Sequence, residues 1–180
     1  LHRLIASDKL QKRRLALLIA DIDRFKEINN TLGHKAGDII LKEVSERLLR
    51  ALRSSDIITR FSSDEFAVIA MVDDAVGAEG VASKIIEAFG KPFEIDGHTI
   101  KIDVSIGAAL YPKHGIDAST ITRHAEVAMY NAKEASQALT FYNRSKDHHS
   151  KRKLNLMNQF NTSLGNGEMQ LHFQPKFNLA

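Results

Sequence analysis

The period of the apolar positions changes several times along the chain, and each change marks an element. Residues 15–22 form a short, nearly unbroken apolar run that reads as a buried strand ending on Asp21 and Asp23. Over residues 35–52, Ile40, Val44 and Leu48 recur every four positions with Leu41, Leu49 and Leu52 beside them, which predicts an amphipathic helix. Residues 56–61 and 66–72 are strand-like runs separated by Ser62-Ser63-Asp64-Glu65, a hairpin pattern. Val81, Ile85 and Phe89 give a second helical stripe, closed by Gly90 and Pro92. Asp96-Gly97 between Ile95 and His98 is a two-residue hairpin turn. Ile100, Ile102, Val104 and Ile106 then alternate with Lys101, Asp103 and Ser105, the clearest period-two strand in the chain. Ile121, Ala125, Ala128 and Ala132 mark a further helix, and residues 139–142 a last short strand. Helices alternating with strands, two hairpins among them, predict an α/β domain with helices flanking a mainly antiparallel central sheet.

Length and composition narrow this picture. The 180 residues suffice for one domain and a tail, and 43% apolar with 26% charged residues is a globular composition. No apolar run approaches the roughly 20 residues a membrane-spanning helix needs, so no membrane partner is expected of this segment. The absence of cysteine excludes disulfides, thiolate zinc sites and cysteine nucleophiles, and fits a reducing, cytoplasmic setting. No histidine pair has zinc-ligand spacing.

A pI of 9.1 invites a nucleic-acid reading, but the charge is in the flanks. Residues 1–14 and 144–153 each carry five basic side chains against one acid, whereas residues 15–143 carry 14 basic and 19 acidic ones. A mildly acidic body is not expected to bind nucleic acid. Residues 143–153 read as a basic linker, residues 1–142 as the domain before it, and residues 154–180 as the truncated start of a second domain.

Three pieces carry candidate chemistry. Asp21 and Asp23 stand where a buried strand gives way to a helix; they suit a Mg²⁺ site facing phosphate, or Asp23 is a helix N-cap and Asp21 is solvated. Asn29, with Gly33 and Gly37-Asp38 downstream, offers the donors and acceptors that read a guanine edge, or else a turn with Gly33 as helix C-cap. Asp64 and Glu65 at the hairpin tip are either a polar turn or, with Asp21, a carboxylate-bound Mg²⁺ centre for phosphoryl transfer.

In this order the three pieces resemble the GGDEF family of diguanylate cyclases, over essentially residues 1–142. DIDRFKEINNTLGHKAGD (21–38) is similar to the family's first block, and RFSSDEF (60–66) falls where RxGGDEF belongs. VSIGA (104–108) resembles its SIG block and AMYNAK (128–133) its AMYxAK block, while LHFQPK (171–176) looks like the opening of an EAL phosphodiesterase domain. The resemblance implies a nucleotidyl-cyclase, polymerase-palm-like fold. It implies Mg²⁺ or Mn²⁺ bound by Asp21, the Ile22 carbonyl and Asp64, with Asp64 and Glu65 as the catalytic pair. Asn29 and Asp38 would recognise guanine, and the backbone at Phe25-Lys26 together with Lys133 would face the triphosphate. Two such domains, each with one GTP, would meet as a homodimer and condense their substrates to cyclic di-GMP. Arg53-Ser-Ser-Asp56 matches the RxxD product-inhibition motif, the alternative being a surface ion pair.

The chain departs from the family in three places. Ser62-Ser63 replace Gly-Gly, Asn29-Asn30 replace Asn-Asp, and Ser136-Gln137-Ala138 replace Gly-Arg-Asn, which removes a phosphate-binding arginine. Serine at a left-handed glycine position costs about 1–2 kcal/mol, and each hydroxymethyl takes up room beside the nucleotide. The expected function is therefore a domain that binds Mg–GTP, cyclic di-GMP or both, has low or no cyclase activity, and regulates the adjoining EAL domain. The alternative is an active diguanylate cyclase.

Overall fold

The computed structural model describes residues 1–5, 14–95, 97–147 and residue 166. The chain divides into two units, Leu1–Lys146 and Asp147–Ala180. Of the second, only Asp147 and Asn166 are described, so the expected start of an EAL domain lies outside the described residues, as does most of the expected linker.

In the first unit the apolar run becomes β1 (Arg14–Ile22), buried at every position after Arg14. It lies at the centre of a five-stranded sheet of order β2-β3-β1-β6-β7, with β2 at Ile57–Arg60, β3 at Glu65–Val72, β6 at Val104–Tyr111 and β7 at Leu139–Phe141. β1 pairs antiparallel with β3 and β6, β2 antiparallel with β3, and β7 parallel with β6. The helices are α1 (His2–Ile5), α2 (Phe25–Leu32), α3 (His34–Ala51), α4 (Ala75–Gly90) and α5 (Ala118–Glu134). The mainly antiparallel α/β architecture is the expected one.

Strand parity sorts the core into two layers. Ala16, Leu18, Ala20 and Ile22 of β1 pack with α2, α3 and α4, and Leu15, Leu17 and Ile19 pack with Ile121, Ala125 and Met129 of α5. A strand covered on both faces reads as continuous apolar sequence rather than as alternation. That explains the one misread strand: the alternating stretch 100–106 is not a single strand. Ile100 closes the hairpin β4 (Phe93–Ile95)–β5 (His98–Ile100), residues 101–103 leave both sheets, and β6 begins at Val104 with seven consecutive buried residues.

α5 is seated on β6 unusually closely. A Cβ at Gly107 would lie 2.0 Å from Met129 N and 2.1 Å from Ala125 O, so helix and strand touch backbone to backbone. The N-terminus of α5 is fixed by Asp117, whose carboxylate accepts from Thr120 N, Thr120 Oγ1 and Ser119 Oγ. Those bonds hold its pKa far below the usual carboxylate range.

At the end of the sheet where β6 finishes, His124 of α5 donates from Nδ1–H to the His114 carbonyl and stacks on Tyr142 (centroids 3.6 Å apart, 13° between planes). Leu1, Leu4, Ile5, Tyr111 and Tyr142 all pack against the same α5-side cluster. His114 accepts the Leu110 N–H through Nδ1 (3.0 Å), which requires that nitrogen to be unprotonated. Burial, then Lys113 and His124, hold its pKa below the ordinary 6.5. As pH falls through 6.5 the unfolded chain takes up the proton first, so stability is lost from there down towards the folded-state value. We expect the urea midpoint to fall between about pH 7.5 and 5.5, and His114→Gln to flatten that slope. The same slope in both proteins would remove His114 as its source.

Candidate functional site

Parity also decides which polar side chains meet. Asp21 shares the α5-facing side of β1 with Leu15, Leu17 and Ile19, and its register partners are Glu65 on β3 and Ser105 on β6. α5 runs back over this face until Lys133, near its C-terminus, reaches Asp21 with Nζ 2.5 Å from Oδ1. The Asp21 side chain is only 8% exposed. Its carboxyl is pushed above the usual range: burial is the largest cause, Lys133 opposes it, and Asp64 and Glu65 add to it. Glu126 of α5 is pushed up as well, by burial and then by Glu65. Asp64 and Glu65 thus act on Asp21, and Glu65 on Glu126, at this end of the sheet, and Lys133 is the cation paired with Asp21.

The turn before β3 is tied to the same place. Ile22 N donates to Asp64 O (3.1 Å), Phe61 N and Ser62 N donate to Glu65 O, and the Arg60 guanidinium donates to the carbonyls of Ser62 (3.1 Å) and Ser63 (2.7 Å). The Ser63 hydroxyl donates to Asp64 Oδ1 at 2.6 Å. Among the described residues only Arg24 and Ser136 are non-glycine residues with positive φ. The backbone strain expected at Ser62-Ser63 is therefore absent, because the arginine-braced turn keeps both serines at negative φ. The strain appears instead at Ser136, at φ 51 just beyond α5, a second position where the family carries glycine.

Asp23 is not the N-cap of α2. Arg24 holds that position at φ 57 with no side-chain cap, and the Asp23 carboxylate accepts from Ser105 Oγ instead (2.8 Å). Phe25 is buried as a core residue, and Lys26 is exposed. Glu27 N and Ile28 N bond to Arg24 O, which leaves the Phe25 and Lys26 N–H groups as the leading donors of α2. A groove of about 1100 Å³ passes this turn, lined there by Asp23, Arg24, Lys133, Ser136 and Gln137.

Gly33, at φ 84, ends α2 and precedes α3, so the C-cap expectation holds. The turn folds α3 back so that Gly37 faces Asn29: a Cβ at Gly37 would lie 2.0 Å from Asn29 Oδ1 and 3.1 Å from the tip of the Phe25 ring. Asn29 Oδ1 is buried and has no hydrogen-bond partner, and Asp38, next to Gly37, is exposed. The structure places both expected guanine readers at the α2–α3 junction, one turn of helix beyond the Phe25-Lys26 donors. Arg53 and Asp56 do not form the ion pair offered as the bland alternative. Asp56 Oδ2 accepts from Arg53 N (2.9 Å) and Asp56 N donates to Arg53 O (2.9 Å), a closed turn between α3 and β2.

Among the described residues no three His, Asp or Glu side chains converge as a metal-holding group. Two carboxylates and one carbonyl, the set expected here, still suit Mg²⁺, which keeps several waters and takes one or two protein carboxylates. Sequence reasoning passed over Ser105 and Glu126. The signal available for Ser105 was a polar residue inside a strand otherwise apolar on both faces; Glu126 carried none, because only the folded chain brings it near Glu65.

The family model described as "Diguanylate cyclase, GGDEF domain" matches residues 1–138. The chain is 32% identical to the bifunctional diguanylate cyclase/cyclic di-GMP phosphodiesterase MucR of Pseudomonas aeruginosa, over 97% of this chain and 27% of that protein. It is 39% identical to the diguanylate cyclase TpbB of the same species, over 76% of this chain and 32% of that protein. The chain thus spans about a third or less of the curated relatives it matches. The crystal structure of the TpbB GGDEF domain superposes with a TM-score of 0.76 at 36% identity, covering 79% of this chain and 91% of that one. No described helix is long and apolar enough to cross a membrane. A shared sheet, a family match running from α1 almost to β7, and relatives that act in cyclic di-GMP signalling together mean that this chain belongs to the GGDEF domain family.

Proposed function

We propose that this domain binds Mg–GTP and cyclic di-GMP, turns GTP over slowly or not at all, and regulates an EAL domain that follows it in a cytoplasmic protein. The observation that carries the reading is the Asp21–Lys133 pair. Lys133 brings a mobile cation to a buried carboxylate beside Asp64 and Glu65, an arrangement suited to exchanging that ammonium for a divalent metal and then offering it to phosphate. Asp21, the Ile22 carbonyl and Asp64 would hold the metal, which supplies charge neutralisation at the phosphates. The leading N–H groups of α2 and Lys133 receive the phosphate chain. The Asn29 amide oxygen, which has no partner, and exposed Asp38 take the guanine, since a buried acceptor without a partner is costly until a ligand donates to it. Gln137 stands where a phosphate-binding arginine would be, and this argues for low turnover. Arg53 and Asp56, away from the metal, form the cyclic di-GMP contact.

Calorimetric titration with Mg²⁺ should show GTP bound at least tenfold more tightly than ATP, and binding weakened in Asp38→Ala and Asp21→Ala. ATP binding equal to GTP would refute the guanine assignment. We also expect Ser63→Gly to tighten Mg²⁺ binding about fivefold, because it frees Asp64 Oδ1 from a hydroxyl whose charge-assisted bond is worth about 1 kcal/mol at an exposed site. Unchanged metal affinity would show that the hydroxyl does not compete.

A second reading, an active cyclase working as a homodimer, is favoured by one finding. The serine pair sits in an unstrained turn, so the loop is not distorted by the loss of its glycines. Incubation with Mg²⁺ and GTP followed by assay of cyclic di-GMP separates the two readings.

A further inference from the structure

Asp23 is stapled to β6 by its side chain and to the connector just before β6 by its main chain. Its Oδ1 accepts from Ser105 Oγ at 2.8 Å, and its N–H donates to Asp103 O at 3.0 Å. Ser105 is 4% exposed and is the register partner of Asp21, so the staple is anchored in the ladder itself. Immediately after it, Arg24 is held at φ 57, ψ 24, a conformation about 1–2 kcal/mol less favourable for arginine than the right-handed alternative. No side chain caps α2 to hold that turn from the helix side. The Asp23 staple is what the turn has on the sheet side, and Phe25 and Lys26, the leading donors of α2, follow within two residues.

We propose that Ser105 and Asp23 are a positioning pair that aims the first turn of α2, and thereby sets affinity for the phosphate chain of a nucleoside triphosphate and not for its base. The inference rests on the nucleotide-binding reading above. Phosphate and base are supported separately: Asn29 is held against Gly37 at the α2–α3 junction, which has its own hinge at Gly33. Loss of the serine bond lets the Arg24 turn relax and re-aims two N–H groups whose bonds to phosphate depend steeply on distance and angle. The Asn29–Gly37 contact stays where it is.

The test is titration of GTP and of guanosine, with Mg²⁺ present, into the wild type, Ser105→Ala, Asp23→Ala, Asp23→Asn and the double alanine variant. GTP affinity should fall about tenfold in each single alanine variant, in line with hydrogen bonds to charged groups, while guanosine affinity changes less than about twofold. Asp23→Asn keeps an oxygen that accepts the serine proton and should stay within about threefold of wild type. The double variant should be no worse than either single one, as for two residues acting through one bond. An unchanged ratio of GTP to guanosine affinity in Ser105→Ala overturns the inference. So does a loss in Asp23→Asn as deep as in Asp23→Ala, which would make the charge and not the bond decisive. If Asp23→Ala fails to fold, the comparison of Ser105→Ala with Asp23→Asn decides alone. A wild type that binds no GTP removes both this inference and the reading beneath it; wild-type binding with unaltered ratios removes only the positioning role.

Discussion

Gly107→Ala should destabilise the domain by about 3 kcal/mol or more, at the upper end of what overpacking costs, and in the same step pull Lys133 away from Asp21. The new methyl would lie 2.0 Å from Met129 N and 2.1 Å from Ala125 O. Both obstacles are main-chain atoms of a helix, so no rotamer change relieves them and the whole of α5 must lift off β6. Lifting it opens the layer in which Ile121, Ala125 and Met129 cover Leu15, Leu17 and Ile19. Urea denaturation measures the loss. Gly80→Ala is the opposite case: nothing lies within 4 Å of its Cβ position in the middle of α4. It should stabilise by about 0.5–1 kcal/mol through the entropy of the unfolded chain. A Gly107→Ala midpoint within error of wild type would mean that α5 is not seated as closely as described.

Gly37→Ala should leave the fold largely intact and remove the proposed preference for guanine. Here the obstacles are side chains: the Asn29 amide at 2.0 Å and the Phe25 ring tip at 3.1 Å. Asn29 can swing out at modest cost, which satisfies the new methyl and evicts the proposed base reader. GTP affinity should drop about tenfold to a hundredfold, the loss of one or two hydrogen bonds to a buried base edge. The advantage over ATP should vanish with it, while the urea midpoint moves far less than in Gly107→Ala. If guanine selectivity survives with Asn29 displaced, then Asn29 is not its source. Between them, the two glycines separate a fold contact from a ligand contact by what stands in the way, backbone in one case and a rotatable side chain in the other.

Most of the scaffold could be read along the chain because its signals are local. β1, the turn at residues 62–64, α3, the hairpin at Gly97 and α5 each carry their period or their punctuation within a dozen residues. The stretch 100–106 misled because alternation marks a half-buried strand, whereas β6 is buried on both faces and its alternating neighbours belong to a hairpin and a connector. Candidate site residues could be named from the family blocks, but their spatial relations could not. That Lys133 reaches Asp21 across 112 positions, or Ser105 reaches Asp23 across 82, depends on strand parity and on the seat of α5, which no window of sequence contains. The φ angles at Ser62-Ser63 were misjudged for a related reason. Arg60 braces that turn from outside the signature, so the glycine rule did not transfer.

The ring stack of Tyr142 on His124 has a mechanical consequence. Leu15 of β1 is paired with Tyr111 at one end of the sheet, and Asp21 is paired with Ser105 at the other, about 20 Å away at the rise of a strand. Both handles of the domain, the α1 residues and Tyr142, grip the first end, and Asp21 with Lys133, proposed to face the nucleotide, occupies the second. α5 spans the gap, from His124 under the handles to Lys133 at Asp21, some 14 Å of helix. That helix is seated along the sheet by Ile121, Ala125 and Met129 as well as by its backbone contact at Gly107, and so is expected to move as one body. A shift of the helix at the Tyr142 end is thus expected to register at the other end as a change in how far Lys133 stands from Asp21.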